Sequence, residues 1–210
     1  MPRDQRPSKS VRVLLAEDQG VMRGALALLL GMEPDLEVVA QVGRGDEIVG
    51  TALTARPDVA LLDIELPGRS GLEAAADLRD EVPDCRVLIL TTFGRPGYLR
   101  RAMEAGAAGF LVKDGPVEEL AEAIRKALRG ETVIDPALAA AALSAGPNPL
   151  TARERDALGA SVDGATIADI AATLHLSEST VRNYLSSAIC KTGTRNRMEA
   201  VRAARRQGWL

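Results

Sequence analysis

VALLDIELPG, residues 59–68, sets an apolar run against a carboxylate and then breaks it with a second acid, a proline and a glycine. Four apolar residues running into Asp63 have the look of a buried strand that ends on an acid. Such an acid is either a cap or a chemical site, and the chain around it decides which. Similar short runs occur at VRVLLA (11–16), LEVVAQV (36–42), RVLILT (86–91) and GFLVK (109–113), and an alanine-rich, amphipathic segment follows each. Five β-strand and helix units in succession predict an α/β domain, a five-stranded doubly wound parallel sheet with helices on both faces. Pro96 stands at a first helical position, and Pro116 opens the last helix of this part, near 117–129.

After Gly130 the pattern breaks. DPALAAAALSAGPNP (135–149) holds one short helix, with Asp135 as N-cap and Pro136 at its first position, and ends in a Gly-Pro-Asn-Pro breaker, which reads as a linker. Beyond it the β pattern disappears. TARE (151–154) and TIAD (166–169) have the form of capping boxes, Ser177 caps a third helix, and a fourth lies near 196–207. Leu176 and Val181 are spaced for a hydrophobic staple. The expected organisation is a polar tail over 1–10, an α/β domain over 11–129, a linker over 130–149 and a small all-α four-helix domain over 150–210.

Composition narrows the classes. The chain has 210 residues, 46% of them hydrophobic, with mean hydropathy near zero, as befits soluble globular domains. No apolar run has the length of a membrane helix, and the N-terminal tail lacks the apolar core of a signal peptide, so the expectation is a cytoplasmic protein without membrane insertion. Cys85 and Cys190 lie far apart with no metal-ligand spacing, and the lone His175 is expected on a helix surface. From residue 150 onward 9 Lys and Arg meet 6 Asp and Glu, whereas the preceding part holds the other 17 and 23. From residue 177 onward the count is 7 basic to 2 acidic, which suits an anionic partner at that end, although a basic run is by default a solvated face.

In an open parallel sheet, ligands sit beyond the carboxyl ends of the strands. There the first strand delivers Glu17 and Asp18, the third Asp63, the fourth Thr91 and the fifth Lys113. Clustered carboxylates repel unless a cation is present, and oxygen ligands of this kind suit Mg²⁺. Magnesium points to phosphoryl transfer, which needs a nucleophile, a metal and fixed donors on the phosphoryl oxygens. Asp63 is the candidate nucleophile; Asp18 and Asp63 would hold the metal, with Glu17 acting through water, and Lys113 and Thr91 would bind the phosphoryl oxygens. Any one of these residues alone would more often be a cap or a solvated charge, the reading given to Asp58.

The helix expected over Glu178–Lys191 has Val181, Tyr184, Leu185, Ala188 and Ile189 on one stripe and Ser179, Arg182, Asn183 and Ser186 opposite. With TIADIAATL and a short turn before it, an Arg-Asn pair near its N-terminus suits base edges in a major groove. Lys191, Arg195 and Arg197 lie beyond the stripe and are expected on phosphates. Thr180 belongs to the same candidate set, and Cys190 falls on the polar side.

LLAEDQ, LLDIELPGRSG, LTT and AGAAGFLVKD resemble the signatures of a response-regulator receiver, a flavodoxin-like fold. LTARERDAL with TIADIAATLHLSESTVRNYLSSAICKTGTRNR resembles a LuxR-type helix-turn-helix. In order and spacing the whole is similar to the NarL/FixJ family of two-component regulators. That resemblance implies Asp63 as phosphoacceptor, Asp18 and Glu17 as the acidic pair, the backbone carbonyl of Glu65 as a further metal ligand and Phe110 as the switch aromatic. Many members carry Asp-Asp, so Glu17 is a departure. It also implies a sensor histidine kinase, double-stranded DNA and a homodimer when phosphorylated as partners, and admits contact with RNA polymerase. Phosphorylation would draw Thr91 toward the phosphoryl group, let Phe110 pack inward and alter the surface around the fourth helix and fifth strand. Phe93 and Glu65 would flank the path of hydrolytic water. AEDQ with LTTFGRPGYLRRAMEAGAAGFLVKD resembles the regulators of lipid desaturation that pair with a membrane-embedded, temperature-sensing kinase.

Two other classes compete. A Mg²⁺-dependent phosphatase of the haloacid-dehalogenase type also uses a strand-end Asp, but Glu65 stands where that family has a second Asp, and no cap domain is visible. A receiver-like module that is never phosphorylated would have no use for the full Asp63, Thr91 and Lys113 set.

Overall fold

The computed structural model describes residues 10–92, 96–113, 115–145, 147–162 and 164–210, with the backbone alone at 96, 117, 144 and 145. The chain divides into two compact units. In the first, β1 (Val11–Ala16), β2 (Leu36–Val42), β3 (Val59–Asp63), β4 (Arg86–Thr91), β5 (Gly109–Val112) and β6 (Val133–Ile134) form one parallel sheet in the order β2-β1-β3-β4-β5-β6. All five residues of β3 are buried, which is why its sequence is a continuous apolar run and does not alternate. The sixth strand pairs Gly109 with Val133 and Phe110 with Ile134. It lies where the sequence analysis placed linker, because two residues are too few to carry a periodic signal.

The crossovers are α1 (Gly20–Leu30), α2 (Ile48–Ala55), α3 (Gly71–Glu81), α4 (Pro96–Glu104) and α5 (Val117–Leu128). Leu26 and Leu30 of α1 and Ala121, Ala123, Ile124 and Ala127 of α5 join Val13, Leu15, Leu61 and Leu88 in one core. The amphipathic expectation fails for α1, whose outward face is apolar as well. The order of the strands reverses between β1 and β3. Glu17, Asp18 and Asp63 therefore emerge at the switch point, where such sheets form a crevice.

A helix α6 (Pro136–Ala145) follows, as its N-terminal proline predicts. The second core is built by α7 (Ala152–Gly159), α8 (Ile167–Leu174), α9 (Glu178–Lys191) and α10 (Arg197–Arg206), around Leu158, Ile170, Val181, Leu185, Ala188 and Val201. Thr151 and Thr166 form the capping boxes read from the sequence, with Glu154 and Asp169 reaching back. His175 does not sit on a helix surface; it ends α8 in the left-handed region at φ 53°, opening the turn into α9. Among the described residues no helix is long and apolar enough to cross a membrane.

Candidate functional site

Strand ends and loops bring the receiver-like cluster together. Lys113 Nζ donates to Glu17 Oε2 at 2.6 Å and to Asp63 Oδ2 at 2.8 Å, joining the ends of β5, β1 and β3. Glu17 is 1% exposed and Asp63 6%, whereas Asp18 is open to solvent. One carboxylate oxygen from each of Glu17, Asp18 and Asp63 lies within 4.8 Å of the others. Burial alone would lower the Lys113 pKa, but its hydrogen bonds to Asp63 and Glu17 outweigh this and raise it above its usual value. The ammonium stays charged where anionic oxygens converge.

The loop after β3 is held from two sides. At Gly71 a Cβ would lie 1.9 Å from the carbonyl oxygen of Asp63, so only glycine lets α3 start against the site. At Gly45 a Cβ would lie 1.8 Å from the carbonyl of Arg69, while Gly45 N–H donates to Pro67. Ser70 caps α3, and the Ser70 hydroxyl holds the Glu73 carboxyl below its ordinary pKa. Glu65 N–H points back at Asp63 Oδ1, 3.4 Å away.

Glu17 has two employments that its sequence does not reveal. Its Oε2 holds Lys113 and its Oε1 accepts the Gln19 N–H, while the Arg23 guanidinium donates to its backbone carbonyl. Thr91 is buried at the end of β4. Phe110 is 0% exposed, so the inward packing expected to follow phosphorylation is already present in this conformation. Phe93 lies outside the described residues. Asp58 is neither a helix cap nor simply solvated: half-buried just before β3, it accepts the Arg12 N–H of β1 at 2.8 Å. Burial pushes the Cys85 thiol up to about 12, which makes it inert near neutral pH.

In the helical unit, Ser179, Arg182, Asn183, Ser186 and Cys190 are all exposed on α9, opposite the buried Val181, Leu185 and Ala188. Arg182 is paired within the helix to Glu178 at 2.7 Å, an exposed bond of little stability that a base edge can replace. Thr180 is half-buried and belongs to the cap of α9, its hydroxyl 2.8 Å from that of Ser177.

Two residues expected on phosphates also make bonds within the fold. Lys191 Nζ lies 2.8 Å from both oxygens of Glu154, and Arg197 Nη1 donates to the carbonyl of Ala165 at 2.8 Å. Arg195 is exposed, with its backbone N–H bonded to Glu199. Glu154 is the residue the sequence analysis undervalued. Besides closing its capping box it accepts from Ser187 at 2.6 Å, and so fastens α7 to the polar flank of α9. Burial would raise its pKa, but Lys191, Ser187 and the Thr151 backbone overcome that and hold it at about 2. The only trace in the sequence was a buried-helix acid with a Lys in a later helix, which spacing cannot pair.

Residues 13–125 match the family model of the response regulator receiver domain, and residues 148–204 match that of the bacterial regulatory proteins of the luxR family. The chain is 44% identical over 200 residues to the transcriptional regulatory protein YvfU of Bacillus subtilis (strain 168), covering 95% of this chain and 100% of that protein. It is 43% identical over 200 residues to the transcriptional regulatory protein DesR of the same organism, covering 95% and 99%. Among solved structures it is similar to the response regulator ChrA of a heme-sensing two-component system, at 33% identity and a TM-score of 0.58, with 97% of this chain and 100% of that one covered. These relatives are regulators, which removes the phosphatase alternative. With two family models in this order along a sheet with a strand-end acidic crevice and a four-helix unit, the chain belongs to the two-component response regulators that carry a LuxR-type DNA-binding domain.

Proposed function

We propose that this regulator is switched by phosphorylation of Asp63 by a sensor histidine kinase, and that the phosphorylated chain pairs with a second copy on double-stranded DNA. The receiver is taken to run through β6, past the boundary at 129 read from the sequence, with the rest of 130–149 as linker and the DNA-binding domain over 150–210. The observation that carries the reading is the junction of Lys113 with Glu17 and Asp63 beside Asp18. A carboxylate there has a neighbouring cation to steady the oxygens of an incoming phosphoryl group. An oxygen of Asp63 attacks phosphorus, the bond to the donor's leaving group breaks, and Lys113 and Thr91 receive the phosphoryl oxygens.

The donor set fits Mg²⁺, being all hard oxygen with one exposed member through which waters can enter. Asp18, Asp63 and the backbone carbonyl of Glu65 would hold it, and it would supply neutralisation of the phosphoryl charge. Glu17 keeps lone pairs for a bridging water while positioning Lys113.

On the DNA side, Ser179, Arg182, Asn183 and Ser186 are the proposed base readers and Arg195 a phosphate contact. Arg182→Ala is expected to cost about 1 to 3 kcal/mol at the preferred site and to relax specificity there. Arg197→Ala should weaken all sequences alike and also lower thermal stability, since Arg197 holds the start of α8 through Ala165. Fluorescence anisotropy on matched and mutated sites, with a melting curve for each variant, checks both. Equal, sequence-independent losses would overturn the division.

The resemblance of AEDQ and the 90–114 segment to desaturation regulators, beside the 43% identity to DesR, supports membrane-lipid desaturation genes as first targets to test. YvfU at 44% is equally similar and names no target. Selection of bound fragments from genomic DNA, with and without acetyl phosphate and Mg²⁺, decides. Enrichment beside desaturase genes that grows with the phosphodonor is expected. Enrichment elsewhere would reject that pathway, and enrichment indifferent to the donor would reject the switch.

A further inference from the structure

Residues 43–47, just after β2, bear on both walls of the acidic crevice although they contribute no group to it. On one wall, the Glu17 N–H donates to the carbonyl of Val42 at the end of β2, 3.1 Å away, and the Glu17 carbonyl accepts from Arg23 Nη1 at 2.5 Å. That guanidinium lies over the bare backbone of Gly43, where a Cβ would come within 3.0 Å of Nη1. On the other wall, the Gly45 N–H donates to the Pro67 carbonyl at 3.0 Å, and Gly45 is packed so closely on the Arg69 carbonyl that no side chain fits. Gly68, at φ 80°, meets Asp46, whose carboxylate would lie 2.7 Å from a Cβ there and is clasped by Arg44 at 2.9 and 2.8 Å. One short stretch therefore touches the segment that carries Glu17 and Asp18 and the segment that leads from Asp63 through Glu65 to α3.

The sheet alone does not set the span between these walls. Pairing of β1 with β3 stops at Ala16 and Leu62, one residue short of Glu17 and Asp63. Past that point the separation of the ligands depends on whatever joins the loops. Mg²⁺ demands near-ideal octahedral geometry and tolerates little error in that separation. Groups behind the ligands that hold them in place accordingly govern affinity. An ordinary tight turn would explain the glycines, but it has no need of a guanidinium. Arg23 is the one charged side chain of α1, half-buried, and it is spent on the Glu17 carbonyl where the two loops meet.

We propose that residues 43–47, linked to Glu17 through Arg23, brace the two walls of the crevice at a fixed span, which makes Arg23 and Gly45 positioning residues for the divalent cation. This rests on the reading of the crevice as a Mg²⁺ and phosphoryl site, and it adds residues that touch neither the cation nor the phosphoryl group.

The test is titration of the unphosphorylated full chain with Mg²⁺, followed through its amide NMR shifts, for the wild type, Arg23→Met, Gly45→Ala and Arg125→Met. Loss of a cation near three carboxylates would by charge alone tighten Mg²⁺ binding. Loss of a brace weakens it, and Arg23→Met and Gly45→Ala should each lower the affinity about tenfold. Arg125→Met removes the same charge and breaks the ion pairs to Glu33 and Asp35 at the opposite edge of the sheet, so it should lower the melting temperature and leave Mg²⁺ affinity as in the wild type. If Gly45→Ala does not fold, Arg23→Met decides alone. Unchanged or tighter binding in either folded variant would overturn the proposal, as would an equal loss in Arg125→Met or a wild type that takes up no Mg²⁺. The expected losses in a chain that accepts no phosphoryl group from acetyl phosphate would keep the brace and reject the phosphorylation reading.

Discussion

Asp63→Asn is expected to reduce phosphoryl uptake from acetyl phosphate to background, and chelation of Mg²⁺ to do the same to the wild type. The reason is electronic and not structural. Asn keeps the shape of Asp63 and an oxygen for Lys113 Nζ, whose second partner Glu17 remains 2.6 Å away, so the crevice survives the substitution. What disappears is the anionic oxygen that attacks phosphorus and one hard ligand of the metal. Intact-mass spectrometry with hydroxylamine release of the acyl phosphate is the measurement. A single adduct in the wild type and none in the variant is the expected pair of spectra. An adduct that persists in the Asn variant, or resists hydroxylamine, would move the acceptor to another residue.

Glu154→Gln should destabilise the DNA-binding unit by about 3 kcal/mol near neutral pH. Glu154 is 4% exposed and bonds Thr151, Ser187 and Lys191, so an amide there loses the ion pair and turns one acceptor into a donor facing an ammonium. The pH dependence carries the sign. Its pKa falls from 4.5 in the free side chain to about 2 in the fold, so the stabilisation is complete above about 4.5 and is lost as the pH drops toward 2. Thermal melts between pH 7 and pH 2 should show the wild type converging on the variant in that window. Parallel curves at all pH values would mean that the bridge contributes nothing to stability. Because Glu154 fastens the polar flank of α9, the variant should also bind DNA more weakly without a change in preferred sequence.

Much of this regulator was legible along its sequence because the deciding interactions are local. Strands that are covered on both faces must be unbroken apolar runs, and β1, β3 and β4 read that way to within a residue of their ends. Caps act over three residues, so Thr151, Thr166 and Ser177 announced their helices. The meeting of Glu17, Asp18, Asp63 and Lys113 followed from a rule of topology, since in a doubly wound parallel sheet the carboxyl ends of central strands converge. Tertiary structure decided which charges also bond within the fold. Lys191 and Arg197 are spaced like phosphate contacts, and packing of α7 and α8 against their neighbours brings Glu154 and the Ala165 carbonyl to them from 37 and 32 residues away. It also decided what stays uncovered. Nothing in GVMRGALALLL tells which apolar side chains the sheet will bury, because both faces of that helix are apolar, and only the docking of α1 beside α5 left Val21, Leu28 and Met32 outside. Pairings across long stretches of chain depend on which surfaces meet in space, and no periodicity in one dimension contains that.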